Sequence, residues 1–307
     1  MRTFVAIFLF SNAFGWAGVR SEWTDVGTLL PENDRRIQVR SSEANNMTEE
    51  QYNQILQAFR NLYEPLFAQK ELEFDLDGSW QSATVNAYAD RAGRTARVTI
   101  FGGIARHKAI TPDGLAAVIC HEIGHHLGGA PKVRGWGSNP WASNDGQSDY
   151  FATLKCLRRY FKTFSPAQNV AIVNRLYQRR SFMADPLAAQ ECQKSFSDTE
   201  AQAICIRSTA AGISLATTLA DLGKEKIPQL GTPDPSVVNV TSDRHPPAQC
   251  RLDTYFRGAL CPISESEDVH DQNPYIGTCS SVNGAPELYH RPRCWFKPVE
   301  TATRRRP

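Results

Sequence analysis

Val118-Ile119-Cys120-His121-Glu122-Ile123-Gly124-His125-His126-Leu127-Gly128-Gly129 is the stretch on which the reading of this chain turns. Within it, His121-Glu122-x-x-His125 sets two imidazoles four residues apart. On a helix such residues lie ~40° from each other, on one face, so both rings reach one metal ion. Glu122 projects beside them, placed to take a proton from water that the metal activates. One zinc ion is expected, because zinc accepts imidazole nitrogen and carboxylate oxygen in a tetrahedral site with one open position. Two histidines still need a third ligand. One zinc pattern has a glycine three after the second histidine and a third histidine three further on. Gly128 meets the first condition, but Pro131 stands at the second, and proline cannot ligate.

The flanks say what carries the motif. Thr111-Pro112-Asp113 opens the helix, with Thr at the N-cap, Pro at the first position and Asp in the first turn. Gly128-Gly129, followed by Pro131, closes it. Upstream, residues 84–90 (TVNAYAD) and 96–101 (ARVTIF) alternate around Ala92-Gly93 and predict a hairpin. Residues 72–76 predict a further strand. Thr48-x-x-Gln51 is a capping box, and Ile55, Phe59, Leu62, Leu66 and Phe67 repeat at helical spacing to about Lys70 as a core stripe. Downstream, residues 147–164, 165–179 and 198–222 predict helices, and 224–243 is a Pro/Gly-rich linker. The loop 130–144, holding Trp136 and Trp141, is expected to rim the cleft. His245-Pro246-Pro247 reads as a pinned turn feeding a helix. The expected class is α+β: a mainly helical fold, a small antiparallel sheet or hairpin before the metal helix, and a loop-rich tail from Cys261 that is stapled rather than packed.

With 307 residues, 41% hydrophobic and 21% charged, the composition is that of a globular protein. A formal net charge of +2 implies no polyanionic partner, so no nucleic acid is expected, and Arg304-Arg305-Arg306 reads as a solvated tail. Residues 1–17 read as a secretory signal: Arg2 is the positive end, 4–10 the apolar core, and Gly15-Trp16-Ala17 the cleavage site. That core is too short to span a bilayer. No later stretch is expected to supply the ~20 apolar residues required, so no integral membrane association is expected after cleavage. The chain is therefore expected to be exported, to the periplasm or beyond the cell. Eight cysteines, an even count in an exported chain, predict four disulfides, with 105 possible connectivities and none assigned. The absence of Cys-x-x-Cys argues against a cysteine zinc site, and Cys120 is read as packed or disulfide-bonded.

Asp145 stands twenty residues after His125, and Asp149 one helical turn further on. This arrangement resembles that of the thermolysin-like gluzincins, where a carboxylate on a second helix completes the zinc site and an acid one turn on holds a ligating imidazole. The resemblance implies Asp145 as third ligand and Asp149 as its orienting neighbour. The usual residue at position 145 is Glu. Asp is one methylene shorter, so either the second helix approaches more closely or Asp149 ligates instead.

Four segments in one order (Asn86-Ala87-Tyr88-Ala89, the histidine motif, Asp145 with Asp149, and His245-Pro246-Pro247-x-x-x-Arg251) resemble the HtpX and CAAX-prenyl-protease family of zinc endopeptidases. The likeness runs over about 51–260, with an insertion across roughly 160–240, and is most specific from Asn86 to Ala152. The resemblance implies a zinc metallopeptidase domain at 47–260, which the residue reading flanks with the signal at 1–17, an irregular or short-stranded leader at 18–46 and a cysteine-containing extension at 261–307. Many relatives span membranes several times; this chain resembles a soluble, exported bacterial branch. On this resemblance His121, His125 and Asp145 would bind zinc and Glu122 would be the general base. Asn86, Ala87, Tyr88 and Ala89 would form the edge where an extended protein or peptide substrate adds as a strand. His245 would lie near the cleft, as an oxyanion contact or as a structural histidine, and Arg251 would organise that turn. His107 and His126 are expected at the surface. The expected function is a zinc metalloendopeptidase. Its rivals are a zinc amidase acting on cell-wall peptides and a non-catalytic exported zinc-binding protein.

Overall fold

In the computed structural model, residues 27–134 and 140–298 are described; the expected signal at 1–17, Trp136 and the terminal arginines lie outside the described residues. Thr48 caps α1 (Glu49–Gln69), and its side chain and that of Gln51 form the predicted box. Tyr52, Leu56, Phe59, Tyr63 and Phe67 make its buried stripe. That stripe lies on a three-stranded sheet of β1 (Glu73–Ser79), β2 (Ala87–Ala92) and β3 (Thr95–Phe101). Phe67 stacks on Phe74 with ring centres 4.5 Å apart, and the Tyr52 hydroxyl donates to the Ile100 carbonyl at 2.6 Å.

The strand order is β1-β3-β2. β2 and β3 form the predicted antiparallel hairpin, turning at Gly93 with φ +56. β1 departs from the antiparallel expectation: it pairs with β3 in parallel, Leu76 opposite Val98. Residues 80–86 carry the chain across the end of the sheet and leave a slot that β3 fills. The hairpin pattern specifies its own pairing but not the slot left for it. This order leaves β2 at the edge, beside the metal helix.

After a short α2 (Gly102–Ala105), Thr111 caps α3 (Pro112–Leu127), its hydroxyl accepting from the Gly114 N–H at 3.0 Å. α3 is buried from Gly114 to Leu127, enclosed by α1, β2, α4 (Asp145–Phe151) and α8 (Thr199–Gly223). Two contacts fix its start against α8. A Cβ on Gly114 would sit 2.2 Å from Ser214 Oγ. Arg207 donates to both oxygens of Asp113, at 3.0 and 2.8 Å. α8 corrects one expectation. At 25 residues it is long and apolar enough to cross a membrane by length and composition. Its apolarity serves the core here, with 94% of the apolar window buried.

α4 begins two residues before the predicted start, because Asn144 caps it and accepts from the Gln147 N–H at 3.0 Å. It continues through a π-helical turn (Ala152–Cys156) into α5 (Leu157–Phe161), where one helix was expected. α6 (Pro166–Gln178) follows as predicted, and a further helix, α7 (Pro186–Ser195), is capped by Asp185. α9 (Ala248–Leu260) follows the His-Pro-Pro turn.

The eight cysteines form four disulfides: Cys120–Cys156, Cys192–Cys205, Cys250–Cys294 and Cys261–Cys279. The last two fasten the C-terminal region to α9. That region is packed as well as stapled, contrary to expectation. Trp295 is fully buried, its ring lies against Gly146 of α4, and its Nε1 donates to Thr254 Oγ1 at 3.0 Å.

Candidate metal centre

The site is built from two helices held by side chains behind them. His121 Nδ1 donates to Asp149 Oδ1 at 2.7 Å, and His125 Nδ1 donates to the Ser143 carbonyl at 2.8 Å. With both Nδ1 atoms carrying the proton, both Nε2 atoms present lone pairs. Those two atoms face each other at 3.2 Å, the rings at 87°. Two lone pairs so close repel unless a cation lies between them. Burial holds His125 down to about 4, which keeps it a neutral ligand.

Asp145 supplies the opposing charge. Its Oδ1 lies 3.7 Å from His121 Nε2, is buried, and has no hydrogen-bond partner of good geometry, although His245 Nδ1 stands 3.3 Å away. One donor atom each from His121, His125 and Asp145 lies within 4.8 Å of the others. Zinc with bonds of ~2.0 Å to nitrogen and oxygen separates tetrahedral ligand atoms by ~3.3 Å. The donor types, their protonation and their spacing therefore fit zinc.

Asp149 is otherwise engaged. Its Oδ1 accepts from His121 Nδ1, from Arg251 Nη2 at 2.7 Å and from the Tyr255 hydroxyl at 2.5 Å, and its Oδ2 accepts from Arg251 Nε at 2.8 Å. Burial would raise this carboxyl, but Arg251 and His121 outweigh it and hold it down to about 2. It orients an imidazole and offers nothing to a metal. The missing methylene of Asp145 is made good by the approach of its helix: a Cβ on Gly124 would sit 2.8 Å from Ser148 Cα, so α3 and α4 touch backbone to backbone.

Both oxygens of Glu122 are buried without a hydrogen-bond partner. Burial, and then the Asp145 charge, pushes its carboxyl well above the ordinary range. A carboxylate so poised accepts a proton readily. His245 stands at the mouth, with Nδ1 toward Asp145 and Nε2 3.5 Å from the Thr28 hydroxyl.

Two partners escaped the sequence reading. Tyr255 lies four residues after Arg251, one turn on along the same face of α9, a spacing that marks a shared target. The Ser143 carbonyl carries no side-chain signal at all. Two expectations are corrected. His107 and His126 are buried, not at the surface. His107 Nε2 meets Asp221 Oδ2 at 3.0 Å, while His126 Nε2 donates to the Arg97 carbonyl at 3.0 Å and its ring stacks on Trp141. Each found a partner that only the fold brings near. Asn86 through Ala89 lie at the β2 edge beside the site, and residues 27–30 are paired along them.

The family model described as Peptidase family M48 matches residues 49–254, from the start of α1 into α9. No curated protein and no solved structure matches the chain.

Proposed function

Since the chain belongs to peptidase family M48, whose members are zinc metallopeptidases, we propose that it is an exported endopeptidase that cleaves internal peptide bonds with one zinc ion held by His121, His125 and Asp145. The observation that carries this reading is the pair of imidazole Nε2 atoms facing each other at 3.2 Å beside a buried carboxylate oxygen without a hydrogen-bond partner. When bound, zinc polarises the scissile carbonyl and acidifies water. Glu122, the buried carboxylate with no partner of its own, takes the proton from the attacking water and passes it to the leaving amine. Asp149, clamped by Arg251 and Tyr255, keeps the proton of His121 on Nδ1 and so keeps Nε2 available. The Ser143 carbonyl does the same for His125. His245 lies beside the donors, its Nδ1 3.3 Å from Asp145 Oδ1 and its Nε2 3.5 Å from the Thr28 hydroxyl, where a bound peptide would pass. Export is supported by the 1–17 reading and by four disulfides, which persist in oxidising compartments.

The test is Glu122→Gln. The variant is expected to bind zinc and fold as the parent does, while losing casein hydrolysis by ~10²–10⁴-fold. Undiminished cleavage by a pure sample removes Glu122 from the reaction. Cleavage of peptidoglycan fragments but not of casein replaces the endopeptidase with an amidase.

A further inference from the structure

The β2 edge is occupied by the chain itself. Residues 27–30 run antiparallel to it, Thr28 opposite Tyr88. The Leu29 N–H donates to the Ala87 carbonyl at 3.0 Å, and the Ala89 N–H donates to the Gly27 carbonyl at 3.5 Å. Asn86 extends the pairing: its Oδ1 accepts from the Leu30 N–H and its Nδ2 donates to the Leu30 carbonyl, both at 3.2 Å. Arg251 Nη1 donates to the Leu29 carbonyl at 2.9 Å, so the cation that clamps Asp149 also holds this segment.

Gly27 carries the segment over the metal donors. Its φ is +87, and a Cβ there would lie 2.7 Å from both Cε1 and Nε2 of His125. The backbone of Gly27 therefore lies against the imidazole edge that bears the metal-facing nitrogen, and any larger residue collides with it. The next residue places its hydroxyl 3.5 Å from His245 Nε2. The segment bridges the sheet edge at Thr28 and bends after it, and its backbone crosses the donor atoms, where a substrate must lie for its carbonyl to meet them.

We propose that residues 27–30 are an internal occupant of the substrate groove: the intact chain is latent, and once they are displaced it takes an extended peptide antiparallel to β2, with a small residue over His125 and aliphatic residues at the places of Leu29 and Leu30. This rests on the peptidase reading given above. Leu29 and Leu30 are both buried in the main core, which gives the segment its hold. A tethered occupant acts at an effective concentration of ~mM. Substrates with KM values of ~1 μM to 1 mM then compete poorly.

Peptide binding tests this without turnover, in a Glu122→Gln background loaded with zinc. The probe is a fluorescent peptide copying residues 22–32, followed by anisotropy. The groove is opened in two ways. Leu29→Pro deletes the N–H that the Ala87 carbonyl accepts. Separately, a site-specific protease sequence is inserted after Glu32, which is exposed, and cut once the folded chain has been purified and diluted. The second route does not depend on how a proline variant folds. Both opened forms are expected to bind the probe at least ~10-fold more tightly than the uncut parent. With Glu122 restored, the same openings raise hydrolysis of a casein peptide by a similar factor. Probe affinity unchanged within twofold in the cut chain, with zinc content and near-UV circular dichroism preserved, overturns the proposal. Tighter probe binding with no hydrolysis of any protein leaves the occupancy standing and removes the peptidase reading instead.

Discussion

Asp145 and Asp149 are one turn apart and chemically identical, yet their surroundings give them opposite uses. Asp145 Oδ1 is buried and unpartnered, whereas both oxygens of Asp149 are filled by His121, Arg251 and Tyr255. Asp145→Ala is therefore expected to lose zinc outright. Asp149→Ala is expected to keep a weakened site, with zinc affinity lower by ~10–100-fold. It also strands Arg251 in the interior, at a cost of ~3–5 kcal/mol. Zinc stoichiometry with urea unfolding of both variants checks this; metal lost only from Asp149→Ala reverses the two roles. A second residue-scale prediction concerns Lys155, on the π turn after α4. Its Nζ is buried on the π turn and donates to the Ser264 carbonyl at 2.6 Å, facing Arg158, Arg159, Glu265 and Glu267. Burial, then Arg158, pulls its ammonium down to about 7 from 10.5. Between those values the unfolded chain binds the extra proton, so this group's contribution to stability rises with pH across the window and is lost as pH falls through 7. Lys155→Met removes that slope. The stability of the parent relative to the variant, from urea midpoints at pH 7 and 9.5, is expected to increase; a flat or falling difference refutes the assignment.

Helix-scale geometry decides whether the ligands meet. A Gly at 124 lets α4 approach until Ser148 Cα is 2.8 Å from where a Cβ would stand, and this contact lets a short Asp serve where a longer carboxylate is usual. Gly124→Ala forces the helices apart. Overpacking of this kind costs ~1–3 kcal/mol. Borne by the metal-bound state, that lowers zinc affinity by ~5–150-fold, readable by competition with a chromogenic chelator; affinity equal to the parent's disproves the close-approach account. The Cys120–Cys156 disulfide, with a sequence separation of 36, ties α3 to the π turn that continues α4. Much of this was legible beforehand. The caps at Thr48 and Thr111, the hairpin and the histidine face of α3 are local patterns, and a local pattern is written where it acts. What the sequence withheld was relational. β1's parallel pairing, the burial of His107 and His126, and the Tyr255 and Ser143 contacts each depend on a partner distant in the chain. Even Gly124 reads only as a glycine in a helix until α4 is set against it.

At the scale of the whole molecule, the region beyond α9 behaves as part of the metal centre's frame. Trp295 packs on Gly146 at the start of α4, where a Cβ would come within 2.2 Å of its ring. Arg291 Nε donates to Gln147 Oε1 at 2.6 Å, and Gln147 Nε2 in turn donates to the Gly128 carbonyl at the end of α3 at 2.5 Å. A line of contacts thus runs from the C-terminal region through α4 to the metal helix. The Cys250–Cys294 disulfide closes it onto α9, which carries Arg251 and Tyr255. A region that only decorated the fold would melt by itself and leave the ligands in place. A buttress cannot, because losing it frees the helix that bears Asp145. Trp295→Ala is expected to destabilise the protein by ~3–5 kcal/mol. Calorimetry of the zinc-loaded variant should show one transition, with zinc released in that same transition as read by a metal-sensitive dye. Two transitions, the first leaving zinc bound, would make the region beyond Cys261 a separable unit and confine the metal centre's support to the helices before it.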